Sequence, residues 1–355
     1  MAYAHILGAL VIVASGGPEP DLELVDAADR EGKVVVFSTT DAAAVRPLLD
    51  EFERLFPEVH VEYHDMVSAE LYDRFLADVA AHKGTADVLW SSAMDLQIKL
   101  ANDGYAAEYA APAVPRLPAW AVWKNEAFGT TFEPIGFVYN RRLLEPESVP
   151  RSHADVVRLV NADPQRWRGK LCIYDPEHSG IGFLLLTQDA KTDPSFADML
   201  KAYGTAQVKL YPTTGAMLDK IHTGEQLVGL NVIGSYALSR ARIDPDLEFV
   251  LPKDYTLVMS RIALIPKTAT HPAAARLFLD FILSVDGQRI LAEKARLFPI
   301  RNDVEGDATG RRLTDESGGR LRPVVIGPSL LVYLDQAKRV GFLRQWRQAL
   351  QQESR

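Results

Sequence analysis

The chain has 355 residues, of which 47% are hydrophobic and 24% charged, and its formal net charge is −8. This length exceeds what one hydrophobic core usually supports, so we expect two lobes. The acidic balance, without a Lys/Arg cluster among aromatic residues, argues against a nucleic-acid-binding protein. The single cysteine, Cys172, excludes an intramolecular disulfide. Its position in an apolar run favours inert core packing.

An apolar run over residues 6–17 has about the length of a signal-peptide core. Residues 1–5 contain no Lys or Arg, so the basic segment that normally precedes such a core is missing. We interpret the run as a signal peptide whose start has been trimmed or misassigned. A disordered or loosely packed tail is the alternative. The run is too short to span a bilayer.

Three strand–turn–helix units fill the first part of the chain. Strands are predicted over 33–37, 59–63 and 87–90, and helices over 45–55, 68–79 and 94–100. Hydroxyl side chains follow the first and third strands: Ser38, Thr39, Thr40, Ser91 and Ser92. Either Thr40 or Asp41 is expected to cap the first helix. Because ligands collect at the carboxyl ends of parallel strands, the other hydroxyls are candidate ligand contacts.

Two extended segments, over 131–140 and 257–265, separate this pattern from a second α/β pattern. We interpret both as crossings between the lobes. Core packing is expected for Tyr139, and a place in the wall of the cleft is the alternative. The predicted division is a signal-like tail over 1–29, a first lobe over 30–134 plus 257–300, and a second lobe over 135–256 plus 301–355.

The second lobe begins its own pattern with a buried strand over 171–174. Asp175 and Pro176 end that strand, since proline has no N–H for the ladder. Ser179 and Gly180 then begin a helix. Such a junction leaves backbone N–H groups at the positive end of a helix dipole, where an anion binds well. The alternative is an ordinary loop with Ser179 as the N-cap and a solvated His178.

Further junctions of this kind follow in the second lobe. Thr213 or Thr214 is predicted to cap a helix after a strand over 208–211, and Gly234, Ser235 and Tyr236 follow a strand over 227–232. Ser152 is predicted to cap an earlier helix. The remaining predictions are helices over 272–283, 287–295 and 329–351 and a polar surface loop over 301–321.

Motifs that would indicate catalysis or a cofactor are missing. There is no P-loop, no dinucleotide-binding glycine pattern and no metal-binding histidine pair. Ser235 lies between Gly234 and Tyr236, without the second glycine of a nucleophile elbow. The sequence therefore predicts neither an enzyme nor a cofactor.

Five segments together resemble the type 2 periplasmic solute-binding proteins of ABC transporters. The resemblance is to the branch that binds ferric iron, 2-aminoethylphosphonate, phosphoglycerate and sugar phosphates. The segments are the strand over 34–37 with its Ser/Thr loop, residues 86–92, residues 167–170 with the following strand and Asp175-Pro176, Gly224-Glu225 with 228–230, and 262–266 with 271–275 and 280–284.

The resemblance implies an α/β fold of two lobes, each a mixed sheet flanked by helices, joined by two crossing segments. It implies a periplasmic protein, monomeric, that binds a ligand in the interlobe cleft and delivers it to an ABC permease. Iron-binding members hold Fe(III) with two adjacent tyrosines, whereas this chain has only Tyr236 at that position. We therefore expect a small organic anion, an organophosphate or phosphonate.

Three alternatives stay open. One is an Fe(III)-binding protein that uses Tyr236 with a synergistic anion. A second is a ligand-loaded partner of a membrane histidine kinase, and a third is an enzyme on the same scaffold.

The candidate ligand-binding residues come from both lobes and from the return crossing: Ser38, Thr39, Thr40, Ser91, Ser92, Ser179, Gly180, Ser235, Tyr236, Tyr255 and Arg261. Arg261 is the candidate cation for a bidentate contact with the ligand. A surface salt bridge is the alternative role for it.

Overall fold

The computed structural model describes residues 21–305 and 310–351, and the predicted signal peptide lies outside them. The strands are β1 (Lys33–Ser38), β2 (His60–Asp65), β3 (Val88–Ser91), β4 (Val122–Trp123), β5 (Ala127–Gly129), β6 (Glu133–Asn140), β7 (Leu171–Tyr174), β8 (Lys209–Tyr211), β9 (Val228–Ile233), β10 (Leu247–Val250), β11 (Thr256–Met259), β12 (Ile262–Leu264) and β13 (Leu321–Pro323).

The helices are α1 (Leu22–Glu31), α2 (Ala42–Leu55), α3 (Ser68–Ala80), α4 (Met94–Asn102), α5 (His153–Ala162), α6 (Pro164–Trp167), α7 (Gly180–Thr192), α8 (Phe196–Thr205), α9 (Thr214–His222), α10 (Gly234–Ile243), α11 (Pro272–Leu283), α12 (Val285–Ile290), α13 (Gly310–Ser317) and α14 (Gln336–Gln351). Shorter turns are the 3₁₀ segments Val114–Arg116, Ala119–Ala121, Pro146–Ser148 and Pro328–Leu331 and a π turn at Leu291–Ala295. Within the described ranges, no helix has the length and apolar character needed to cross a membrane.

The chain divides into two compact units. The first contains the described residues up to Phe132, together with Ser260–Arg312 and Val325–Pro328. Its sheet has the strand order β2-β1-β3-β12-β5-β4. β1 is parallel to β2 and β3, whereas β12 is antiparallel to β3 and β5. The first unit is therefore built on a mixed sheet, as predicted.

The amphipathic pattern of α2 explains how the first unit packs. Val45, Leu48, Leu49 and Phe52 recur at helical spacing, and all four are buried. Phe52 meets Phe278 of α11 edge to face, with ring centroids 5.1 Å apart. Each side chain of this size stabilises the fold by about 1.5–3 kcal/mol through burial. The loop that follows β1 is thereby held on a rigid core.

The predicted N-terminal tail over 1–29 is too long, because residues 22–29 belong to α1. Asp21 caps this helix by accepting a hydrogen bond from the N–H of Glu23 at 3.0 Å. Gly32 ends it in a left-handed conformation, with φ of 73°. Glu31 accepts a hydrogen bond from the N–H of Ala274 in α11 at 2.8 Å. These bonds make α1 part of the first unit.

The second unit contains Glu133–Met259, Leu313–Val324 and the described residues from Ser329 onward. Its sheet has the order β13-β11-β6-β9-β7-β8, and β10 also pairs with β6. β7 is parallel to β8 and β9, and β6 is antiparallel to β9. This sheet is also mixed, and its core includes Phe183, Trp167 and Trp346, all nearly inaccessible.

A β-bulge interrupts the pairing of β6 with β9. Gly136 pairs with Val232 and Val138 with Gly229, so two residues of β9 lie opposite one residue of β6. Asn231, one of the two, has a φ of 55°. A left-handed backbone is uncommon for a residue with a side chain, although asparagine tolerates it better than most. The bulge lies three residues before α10.

The part of the chain after residue 300 differs from its prediction. Residues 301–305 were assigned to the second lobe but lie in the first unit. Gln288 Oε1 accepts hydrogen bonds from the N–H groups of Ile300 at 2.7 Å and Arg301 at 3.4 Å, and Arg301 donates to the carbonyl of Leu283 at 3.2 Å. The predicted surface loop over 301–321 contains α13. The predicted helix over 329–351 is a 3₁₀ turn followed by the shorter α14.

Candidate functional site

Parallel strands β2, β1 and β3 end at one edge of the first unit's sheet, and α3, α2 and α4 begin there. We call this the first-unit edge. β12 starts beside the end of β3, because Ile262 pairs with Ser91. The structure therefore brings six predicted residues of this unit to one edge: Ser38, Thr39, Thr40, Ser91, Ser92 and Arg261.

The hydroxyls at the first-unit edge already bind backbone amides. Three accept from N–H groups: Ser38 from Thr40 at 3.0 Å, Thr39 from Ser92 at 2.9 Å, and Ser91 from Ala93 at 3.2 Å. Thr39 also donates to Ser92 Oγ at 3.2 Å. Each of these hydroxyls thus satisfies an amide near the start of α2 or α4.

Arg261 is fully buried, so the surface salt bridge that we considered for it is wrong. Its Nη1 donates to Thr40 Oγ1 at 3.0 Å. Its backbone N–H donates to Thr131 Oγ1 at 3.0 Å, and its carbonyl accepts from the N–H of Thr130 at 2.9 Å. Burying a guanidinium is costly. Its fork of donors fits two oxygens of one anion.

Negative charge lies next to this arginine. Asp65 Oδ2 accepts from the N–H of Ala42 at 2.9 Å, so a carboxylate occupies the start of α2. Asp41 holds the N-cap position of α2, but its side chain makes no capping hydrogen bond. Burial raises the pKa of Asp41, Arg261 opposes that rise, and Asp65 adds to it. The start of α2 is therefore already occupied by an acid.

Parallel strands β8, β7 and β9 end at one edge of the second unit's sheet, the second-unit edge, where α9, α7 and α10 begin. Ser179 caps α7 by accepting from the N–H of Gly182 at 3.3 Å, and Thr213 caps α9 by accepting from Ala216 at 3.2 Å. None of these three helices has an acidic residue in its first turn. Acids within their own first turns therefore do not neutralise these positive helix ends.

The start of α10 differs from the other two. Its N-cap is Ile233, and no side chain of the described residues caps it. Ser235 is 2% exposed, and its Oγ has no hydrogen-bond partner within the described ranges. A buried hydroxyl without a partner costs about 1–3 kcal/mol. A Cβ on Gly234 would lie 2.8 Å from the carbonyl oxygen of Pro134. Glycine is thus required here, and Ser235 is suited to a ligand oxygen.

The loop before α7 is fixed from two sides. Asp175 accepts from the N–H of Glu177 at 2.9 Å and bonds His178 Nδ1 at 2.8 Å. Arg347 of α14 forms a bidentate pair with Glu177, at 2.9 Å and 2.5 Å. The hydrogen bond to Asp175 raises the pKa of the exposed His178. The loop that leads to Ser179 and Gly180 is consequently fixed at both Asp175 and Glu177.

The structure does not bring Tyr255 to the second-unit edge. It precedes β11, which runs in the same direction as β9 because both are antiparallel to β6. Tyr255 thus lies at the opposite end of the sheet from Ser235. Its hydroxyl donates to the buried Asp189 at 2.9 Å, and its ring stacks on His153 at 4.1 Å. Tyr255 therefore leaves the list of candidate ligand contacts.

Tyr236 follows Ser235 in the first turn of α10 and is partly exposed. In the described part of the chain, no group of three or more His, Cys, Asp and Glu residues could hold a metal ion. A metal site at this edge would therefore depend on Tyr236 and on oxygens from a second molecule.

Sequence reasoning overlooked two parts of these edges. The hydroxyls of Tyr174 and Thr214 form a hydrogen bond at the start of α9, where we predicted only a helix cap. The available signal was the second strand–turn–helix junction of that lobe, after the predicted strand over 208–211. Asp65 was also missed, because its link to Ala42 joins residues 23 positions apart.

Comparisons with known proteins agree with this architecture. Residues 48–312 match a family described as bacterial extracellular solute-binding protein. The substrate-binding protein of an ABC transporter from Agrobacterium tumefaciens is 40% identical, with a TM-score of 0.85 over 90% of this chain and 94% of that one. The predicted fold of two α/β lobes with mixed sheets is confirmed.

More distant proteins share the fold alone. The periplasmic binding protein AfuA from Actinobacillus pleuropneumoniae, solved with fructose-6-phosphate, is 20% identical, with a TM-score of 0.75 over 90% of this chain and 99% of that one. Iron-bound HitA from Pseudomonas aeruginosa is 19% identical, with a TM-score of 0.72 over 89% and 99%.

A curated relative is the phosphoglycerate transport regulatory protein PgtC of Salmonella typhimurium. It is 26% identical over 245 residues, which cover 67% of this chain. The match spans 60% of the length of that relative.

Proposed function

We propose that this chain, which belongs to the family of bacterial extracellular solute-binding proteins, captures a small organic anion with phosphate-like or phosphonate-like oxygens. The family consists of binding proteins, not enzymes. We further propose that the protein works in the periplasm as a monomer and delivers its ligand to the permease of an ABC transporter. The relative from Agrobacterium tumefaciens is the substrate-binding protein of such a transporter.

The uncapped start of α10 carries the anion proposal. Its first turn holds no acid and no capping side chain, and the buried Ser235 Oγ lacks a partner among the described residues. The starts of α7 and α9 lie at the same edge and also lack first-turn acids. Backbone N–H groups and a hydroxyl at a positive helix end favour a ligand with several anionic oxygens.

We propose that the first-unit edge contributes as well. Arg261 supplies a permanent positive charge there, and its guanidinium matches a phosphate or carboxylate bidentately. Ser38 and Ser91 each accept a hydrogen bond from an amide. A hydroxyl that accepts in this way keeps its own proton for a further acceptor, such as a ligand oxygen.

The test is isothermal titration of the full chain with 2-aminoethylphosphonate, fructose 6-phosphate, 3-phosphoglycerate and dicarboxylates. We expect at least one phosphorus-containing anion to bind. Ser235→Ala is expected to weaken that binding by about tenfold, the value of one lost hydrogen bond to a charged group. The matched control is Ser239→Ala, one turn further along α10, with unchanged affinity. Binding of dicarboxylates alone would contradict the phosphate-like class.

Fe(III) binding is the second candidate, since Tyr236 lies at the second-unit edge and iron-bound HitA shares the fold. A tyrosinate bound to Fe(III) absorbs visible light, so a new absorption band on addition of ferric citrate, lost in Tyr236→Phe, would support it. If only Fe(III) binds and none of the anions does, the anion proposal is wrong.

A sensory role is the third candidate, because PgtC is named a transport regulatory protein. The ligand-loaded protein can be used as bait in a pull-down. Recovery of a membrane histidine kinase, instead of a permease, would favour this role over transport.

A further inference from the structure

We propose that Asp189 and Asn231 are positioning residues that fix the start of α10 for ligand binding, although neither contacts the ligand. The inference rests on the proposed function for its ligand and on the geometry of the second unit for its mechanism. It assigns a role to a buried polar pair that lies away from the second-unit edge.

The bulge in β9 sets the direction in which the chain enters α10. Leu230 and Asn231 lie opposite a single residue of β6, and Asn231 has a φ of 55°. Bulges bend a strand and redirect the residues that follow. Only Val232 and Ile233 separate Asn231 from Gly234, so a change at the bulge is transmitted directly to the first turn of α10.

Asp189 of α7 holds this bulge. Asn231 Nδ2 donates to Asp189 Oδ2 at 2.5 Å, and the hydroxyl of Tyr255 donates to Asp189 Oδ1 at 2.9 Å. Asp189 and Asn231 are both buried, at 0% and 2% exposure. Because both carboxylate oxygens of Asp189 are engaged, the position of Asn231 is tied to α7, whose own first turn lies at the second-unit edge.

Tyr255, which donates to Asp189, is itself fixed by further contacts. Tyr255 stacks on His153 with an interplanar angle of 4°. His153 in turn bonds Asp254 through Nδ1 at 3.0 Å and through its backbone N–H at 2.7 Å. Burial is the main cause of the raised pKa of Asp189, and its hydrogen bonds from Asn231 and Tyr255 oppose that rise. A buried, fully bonded group of this kind is rigid, as a positioning residue has to be.

The pair is tested first with a single variant of Asn231 and then with a double variant in which the two residues are exchanged. In Asn231→Asp the donor is lost and two buried carboxylates face each other, so the bulge should loosen. We expect amide hydrogen exchange at residues 237–240 of the ligand-free protein, the first N–H groups that bond within α10, to rise by about tenfold. Binding of whichever of fructose 6-phosphate, 3-phosphoglycerate and 2-aminoethylphosphonate the wild type takes should weaken by a similar factor.

The double variant Asn231→Asp/Asp189→Asn restores a donor opposite a carboxylate and keeps an acceptor for Tyr255. We expect it to return both exchange and binding to within about threefold of the wild type. Exchange at Leu171–Tyr174 in β7 is the internal control, because global destabilisation would raise it together with exchange at 237–240. A rise confined to 237–240 is the signature of positioning.

Two results would overturn the inference: unchanged exchange at 237–240 in Asn231→Asp, or no recovery in the double variant. If Asn231→Asp does not fold, Asn231→Gly serves instead, since glycine accepts the left-handed backbone but lacks the hydrogen bond. It should raise exchange at 237–240 by severalfold. If no anion binds the wild type, the proposed function fails, while the exchange measurement still decides the role of the pair.

Discussion

The two sheet edges share one construction but differ in what their helix starts still offer. At the first-unit edge, Ser91 and Thr39 occupy amides near α4, and Asp65 occupies the first amide of α2. At the second-unit edge, α10 begins without a side-chain cap, and Ser235 Oγ has no partner among the described residues.

The difference shows that a strand–turn–helix junction is not by itself an anion site. The amides at a helix start attract an anion only while no nearby hydroxyl or carboxylate satisfies them. Under the proposed function, this criterion assigns amides and a hydroxyl to the second unit and the charge of Arg261 to the first. The following predictions test that division of roles.

The largest expected effect concerns stability and lies outside both edges. In the first unit, Tyr109 donates to Asp280 at 2.5 Å, and Asp280 Oδ1 is buried without a partner in the described chain. Burial raises the pKa of Asp280 to about 6 from 3.8. The folded state therefore binds more protons than the unfolded state between about pH 4 and pH 6, and stability falls as the pH rises through that range.

We expect this group to cost about 2–3 kcal/mol at pH 7, relative to pH 4. Asp280→Asn should abolish that part of the pH dependence in urea unfolding and leave anion affinity unchanged. Asp50→Asn, an exposed carboxylate on α2, is the control and should retain the wild-type profile. A loss of affinity in Asp280→Asn would mean that residues remote from the edges control binding, which would break the comparison.

Gly234→Ala is expected to have the largest effect on affinity. The added Cβ would lie 2.8 Å from the carbonyl oxygen of Pro134, which is backbone and cannot move aside cheaply. The start of α10 would have to shift, and we expect anion binding to weaken by about ten- to a hundredfold in titration calorimetry.

Gly215→Ala is the matched control for this variant. Gly215 lies in the first turn of α9 at the same edge, and a Cβ there meets no atom within 4 Å. It should leave affinity unchanged and stabilise the protein by about 0.5–1 kcal/mol, because alanine favours a helix over glycine. Equal losses in both variants would show that the edge is sensitive to any added methyl group.

Arg261→Met tests how much the first unit contributes to anion binding. Methionine fills a similar volume without charge, so removal of a buried guanidinium should cost little stability. We expect binding of a dianionic phosphate ester to weaken by about tenfold and binding of a monoanion by less. Arg46→Met, on the exposed side of α2, should change neither. Full affinity in Arg261→Met would assign binding to the second unit alone.

Local chemistry predicted much of the fold and part of the site. The strand over 171–174 and the helix over 272–283 have the predicted bounds, and Ser152 caps its helix as expected. Ser179 also caps its helix, which is the alternative role that we gave it. These features depend on residues within a few positions of each other. Proline, hydroxyls and apolar spacing therefore reveal them in the sequence.

Features that depend on distant residues were not predictable in this way. Tyr255 was misplaced because only the pairing of β11 with β6 decides which end of the sheet it occupies. The burial of Arg261 follows from contacts with Thr40 and Thr131, more than a hundred positions away. Ser91 accepts a hydrogen bond from the N–H of Ala93, whereas Ser235 Oγ has no partner among the described residues. The two look alike in sequence, since both are serines after a buried strand.

Asp65→Asn gives the smallest effect and examines the first-unit edge directly. Asparagine can still accept the hydrogen bond from Ala42, but the negative charge beside Asp41 and Arg261 is removed. The pKa of Asp41 should fall, because Asp65 contributes to its rise. We expect anion affinity to increase by about two- to fivefold at low salt and the gain to shrink as salt is added. Asp73→Asn, an exposed carboxylate on α3, should show no such gain. An affinity that stays the same in Asp65→Asn would mean that charge at the first-unit edge does not reach the ligand, so that this unit's helix starts serve its own fold alone.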